Sequence, residues 1–177
     1  TAPCCTALKA AMTAIDVSCT GRRWQDPPHS TDRRSRRLNA TFELHPRLDA
    51  DTTLICDLAL SRVLLMRDAR YPWLILVPRR ANLRELHQLQ DEDLGQVMQE
   101  IAWVSDRLSE LTQAFKLNVA ALGNQVPQLH IHIIARQQND AAWPNPVWGI
   151  GDPLPYDDNE LAVLCTALEG SLQGANT

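Results

Sequence analysis

The chain has 177 residues, 45% of them hydrophobic and 21% charged, the balance of one globular domain with a real core. Its formal net charge of -4 argues against a general nucleic-acid binder, and its longest apolar runs, such as residues 73–77, are far too short to cross a membrane. Five scattered cysteines (Cys4, Cys5, Cys19, Cys56 and Cys165), odd in number and without Cys-x-x-Cys spacing, read as reduced thiols of a cytoplasmic protein and not as a disulfide framework.

The charge is uneven along the chain. Residues 1–40 carry 7 Lys/Arg and 3 Asp/Glu, whereas the remainder is net acidic. Arg22-Arg23, Pro27-Pro28 and the Arg33–Arg37 cluster read as a basic, flexible extension, with a short helix over residues 7–14. The ordered part opens at Phe42-Glu43-Leu44, and residues 48–51 form a turn or helical cap. Residues 54–58, 61–66 and 73–77 read as strands of an antiparallel meander, the last two joined by a hairpin loop containing Asp68, a turn former by residue type. Asn82 is placed to cap a helix beginning near Leu83, and Asp91 the next, with Glu92 and Asp93 in its first turn. From there Leu94, Val97, Met98, Ile101, Val104, Leu108 and Leu111 recur at helical spacing and predict one stripe facing a sheet. Residues 116–122 form the next strand, with Asn118 alternating with apolar positions. The segment 142–149 holds two prolines and two tryptophans, so it is irregular. It either closes over a pocket or packs on the core or a partner. Residues 158–173 read as a final helix.

Between Gly123 and Arg136 the sequence is densest in signals. Gly123-Asn124 marks a turn, and Pro127 sits where a strand can begin without losing a ladder bond. Residues 128–134 then alternate with the period of a strand: Leu129, Ile131 and Ile133 to one face, Gln128, His130 and His132 to the other. Three readings fit the polar row. It is a half-exposed strand with its polar face in water. It is a His-x-His metal site, although no further good ligand lies nearby in sequence. Or it is catalytic, one imidazole attacking an electrophile while neighbouring groups hold oxyanions.

The stretch resembles the histidine triad (HIT) superfamily of nucleotide hydrolases and transferases, whose motif is His-x-His-x-His with Gly-Asn and Val-Pro upstream. Gly123-Asn124, Val126-Pro127, His130, His132 and Arg136 match, and Gln128 stands where the first histidine would be. The likeness runs more weakly over residues 42–150. It implies an α+β domain over 41–177, with a central antiparallel sheet of about five strands, a long helix packed on it and a C-terminal helix. It also implies a homodimer and a nucleotide or nucleotide-conjugate substrate, with no metal and no cofactor. By resemblance, His130 is the nucleophile at an α-phosphate and His132 holds phosphate oxygens, a duty for which Asn124 and the amide of Gln125 are further candidates. Asn118 would reach the nucleotide and Asp68 the ribose. Gln128 can donate and accept hydrogen bonds but cannot titrate, so it can orient a neighbour but not exchange protons. A nucleotide-binding or sensory protein with little turnover is therefore the second reading.

Overall fold

The computed structural model describes residues 41–173, so the basic extension expected over 1–40 lies outside the described residues. The sheet has five strands, β1 (Thr52–Asp57), β2 (Ser61–Met66), β3 (Trp73–Pro78), β4 (Lys116–Ala120) and β5 (Ile131–Arg136). Their order is β1-β2-β3-β5-β4, and every pairing is antiparallel. The meander expected from residues 54–77 is β1 to β3. The chain then leaves the sheet, builds a helix and returns to add β4 at the edge and β5 beside β3.

The helices are α1 (Pro46–Asp51), α2 (Asp91–Thr112) and α3 (Asp158–Ser171). Pro46 opens α1, where its missing N–H costs nothing. Gln90, not Asp91, occupies the N-cap of α2, and Asp91, Glu92 and Asp93 lie in the first turn, where the helix dipole favours acids. The α2 stripe also differs from the expected one. Val97, Glu100, Val104 and Leu108 are buried, whereas Leu94, Met98 and Leu111 are exposed. No helix starts near Leu83. Asn82 takes a positive φ of 58°, and only a 3-10 turn forms at Leu86–Gln88, closed by a reciprocal Glu85–Gln88 capping box.

Both faces of the sheet are covered, which is why β3 and β5 are buried along their full length. On one face α2 and α3 pack over Val63, Leu65, Leu74, Leu76, Ile131 and Ile133. On the other, Leu48, Val126, Ala142 and Val147 pack over Leu64, Trp73, Ile75 and Ile134, with Phe42, Leu44 and Trp148 at the margin. Alternation along β5 therefore sends Ile131, Ile133 and Ala135 toward the helices, and His132 and Ile134 toward the loop-covered face. Among the described residues, no helix is long and apolar enough to cross a membrane.

Candidate active site

The two histidines share the loop-covered face. His132 pairs with Ile75 of β3 and Ala120 of β4, so it is flanked by a strand on each side. His130 lies just before β5, and the two rings meet edge to face with centroids 4.8 Å apart. Both residues are buried, His130 at 6% and His132 at 7% relative exposure, so neither belongs to a solvated polar face.

Hydrogen bonding assigns each ring its tautomer. His130 Nδ1 lies 2.6 Å from the carbonyl oxygen of Gln128. A carbonyl only accepts, so Nδ1 carries a proton and the lone pair of the neutral ring is on Nε2. His132 is the reverse case: the indole Nε1–H of Trp73 donates to His132 Nδ1 at 2.9 Å. An indole nitrogen only donates, so Nδ1 is bare and the proton sits on Nε2. Burial first, and the neighbouring His130 second, lower the pKa of His132 from 6.5 to about 3, so it is neutral at pH 7. One ring thus offers a lone pair and its neighbour an N–H.

Trp73 pairs with Ile134, so it is a diagonal neighbour of His132 across β3 and β5, within reach of a long side chain. Trp148 closes the group, lying 5.4 Å from His132 and 5.8 Å from Trp73, both edge to face. Trp148 thus lies against His132 and packs at the margin of the core on this face, where Ala142 and Val147 are buried. Trp143 instead packs on Phe115 and Arg136.

The remaining sequence-selected residues stand differently. Gln128 does not turn its amide toward the ring of His130. Its Oε1 accepts the N–H of His45 at 2.9 Å, and its Nε2 donates to the carbonyl of Glu43 at 2.8 Å. The side chain clamps the segment before α1, while the main chain of the same residue orients His130. Asn118 lies on the histidine face, opposite Ile134, but its Oδ1 accepts from Arg136 at 2.6 Å. Asn124 and Gln125 are exposed in the turn after Gly123, whose φ of 70° suits glycine. Asp68 is buried, and its carboxylate accepts from Arg70 and from the N–H of Leu154. Burial pushes its pKa up, but the bonds from Arg70 and these amides outweigh that and hold it below the usual carboxylate range. Arg136, 1% exposed, is held bidentately by Asp140 at 2.7 and 2.9 Å.

Sequence reasoning missed Trp73 and the pairing that makes it matter. The signal was a tryptophan opening an aliphatic strand, but its partner lies 59 residues further along the chain. Among the described residues, no group of three or more His, Cys, Asp or Glu side chains is arranged to hold a metal ion.

A family model described as the HIT domain matches residues 47–139. Among solved structures, the chain is similar to a histidine triad protein from Bradyrhizobium japonicum, at 51% identity and a TM-score of 0.74, over 75% of this chain and 99% of that one. It is similar to one from Marinobacter aquaeolei at 45% identity and a TM-score of 0.74, over 76% and 98%. A third, from Sinorhizobium meliloti, is 42% identical with a TM-score of 0.73, over 75% and 98%. No curated protein sequence matches the chain.

Proposed function

Because the chain belongs to the histidine triad family, whose members are in general nucleotide-binding hydrolases and transferases, we propose that it is a hydrolase or nucleotidyl transferase acting at a nucleotide α-phosphate. The observation that carries this is the opposed pair of tautomers, a lone pair on His130 Nε2 beside an N–H on His132 Nε2. In the proposed step His130 Nε2 attacks the α-phosphorus. A P–N bond forms, the bond from phosphorus to the leaving group breaks, and the leaving group departs with the electron pair. His132 Nε2–H donates to a non-bridging oxygen as charge builds there, without giving up its proton. Water or another acceptor then attacks phosphorus from the opposite side: the new bond to phosphorus forms as the P–N bond breaks, the electron pair returns to His130 Nε2, and the acceptor's proton passes to solvent.

His132 is a hydrogen-bond donor with no imidazolium to spend at pH 7, and Gln128 cannot titrate. This supports a leaving group that departs as a weakly basic anion, such as the phosphate chain of a dinucleoside polyphosphate, over an amine that must be protonated as it leaves. Asn124 and the amide of Gln125 are proposed to add donors to the phosphate. Gln128 acts by positioning, through its carbonyl on His130. A homodimer is proposed because β4 is a sheet edge and exposes Val119, with Phe115 and Leu122 exposed beside it and Met98 on α2. A cytoplasmic location suits the free thiols of Cys56 and Cys165, which burial pushes up and holds protonated.

The test is incubation with labelled dinucleoside polyphosphates and nucleoside phosphoramidates, followed by a quench that preserves acid-labile adducts. A labelled protein adduct or turnover is expected, faster with the polyphosphate and lost in His130→Ala. Turnover unchanged in His130→Ala rejects the mechanism. Nucleotide retained without adduct or turnover assigns the chain to the binding reading instead.

A further inference from the structure

His132 makes a single hydrogen bond through its ring among the described residues, and that bond comes from outside the motif. The donor is the indole of Trp73, 2.9 Å from Nδ1. Around the same ring stand His130 at 4.8 Å, Trp73 at 5.4 Å and Trp148 at 5.4 Å between centroids, all edge to face. Ring packing alone leaves an imidazole two orientations related by a half turn about Cβ–Cγ, and two neutral tautomers. Only a group that distinguishes nitrogen from carbon removes that freedom. In this shell the indole N–H does so, because turning the ring would set a C–H against it and leave a buried donor unpaired, a cost of about 1–3 kcal/mol.

We propose that Trp73 is a positioning residue: its indole N–H fixes the orientation and tautomer of His132 so that Nε2–H points to where the phosphoryl oxygen sits. Its catalytic consequence rests on the nucleotide reading above, but the hydrogen bond itself does not. Trp73 is well placed for this work. It opens β3, pairs with Ile134, is 6% exposed, and is braced by Trp148 at 5.8 Å, so its own ring is held on two sides. A donor held rigidly by packing is what orientation requires; a misplacement of about 1 Å at a reacting group costs on the order of 100-fold in rate.

The experiment has two arms on the full chain. In the first, uniformly 15N-labelled protein is examined by long-range proton–nitrogen correlation, with His132 assigned by its loss in His132→Gln. The expected result is a bare Nδ1, a protonated Nε2 and a through-hydrogen-bond nitrogen–nitrogen coupling between Trp73 Nε1 and His132 Nδ1. A protonated Nδ1, or no coupling, overturns the proposal. In the second, Trp73→Phe keeps an aromatic ring and removes the donor. It is expected to lose the single tautomer and to lower kcat about tenfold or more, with KM within about twofold. Retention of one bare-Nδ1 tautomer in Trp73→Phe also overturns it. If the wild type turns over no nucleotide at all, the functional reading fails while the first arm still decides the role of Trp73.

Discussion

Arg136 shows how a residue that matches a family motif can be used up inside the protein. It lies on the histidine face of β5, but its guanidinium is fully buried. Asp140 takes two of its N–H groups, Asn118 Oδ1 and the Asn145 carbonyl take others, and its plane lies over the rings of Tyr71 and Trp143. Asp140 in turn accepts the N–H groups of Gln137, Ala142 and Trp143, so one ion pair folds the start of the loop that carries Trp148. The bond to Arg136 is the leading reason that the Asp140 carboxyl stays below its usual range. Removing the carboxylate strands a buried cation, whereas removing the arginine leaves a carboxylate that three amides still solvate. Asp140→Asn should therefore cost about 3–5 kcal/mol in urea unfolding, the range for breaking a buried pair. Arg136→Met should cost clearly less; the reverse order would refute this account of the latch.

Among the elements, α2 is tied to the sheet by a polar contact as well as an apolar one. Glu100 is 4% exposed, and its two oxygens accept the N–H groups of Leu60 and Ser61 at 2.6 and 2.9 Å, with Gln96 adding a third bond. The carboxylate thus satisfies two amides at the turn between β1 and β2. Glu100→Gln keeps one acceptor and points an N–H₂ at the other amide, so a loss of about 1–3 kcal/mol is expected by thermal or urea unfolding. An unchanged midpoint would mean that the hairpin amides find other partners. The same residue explains one misreading of the sequence: the stripe rule seeks apolar positions, so it selected Met98 and Leu94, which face solvent, and passed over Glu100. The strands were legible because runs such as residues 73–77 admit little else, and the His130/His132 face was legible because alternation has a fixed period of two. Contacts closed over long sequence separations were not: Trp73 to His132, Gln128 to His45 and Asp68 to Leu154. Each was a polar or aromatic residue whose partner no local pattern names. The side chains of Gln128 and Asp68 fasten the fold through contacts of this kind.

At the scale of the whole molecule, the buried histidine should set where acid begins to unfold the protein. The folded pKa of His132 is about 3, below the 6.5 of an unperturbed histidine. Below pH 6.5 the unfolded chain therefore binds a proton that the folded chain refuses, and protonation favours unfolding. The stability at stake is fully present above pH 6.5 and is lost progressively as pH falls toward 3. At about 1.4 kcal/mol per unit, the full span is on the order of several kcal/mol. Asp68 and Asp140 also have lowered pKa values, but they contribute later: their stabilisation is intact above 3.8, the unperturbed aspartate value, and is lost only as pH falls through their folded values. Two stages follow, a decline governed by His132 from about pH 6.5 and a steeper one below about pH 4 as the carboxylates join. Urea midpoints measured from about pH 8 to pH 4 should trace the first stage in the wild type. In His132→Leu, which removes the titrating ring and fills its place with an apolar side chain, the midpoint should stay nearly level down to about pH 5. Parallel curves for the two proteins across that interval would show that His132 takes up protons in the folded state, and the assignment of a permanently neutral donor would fall with them.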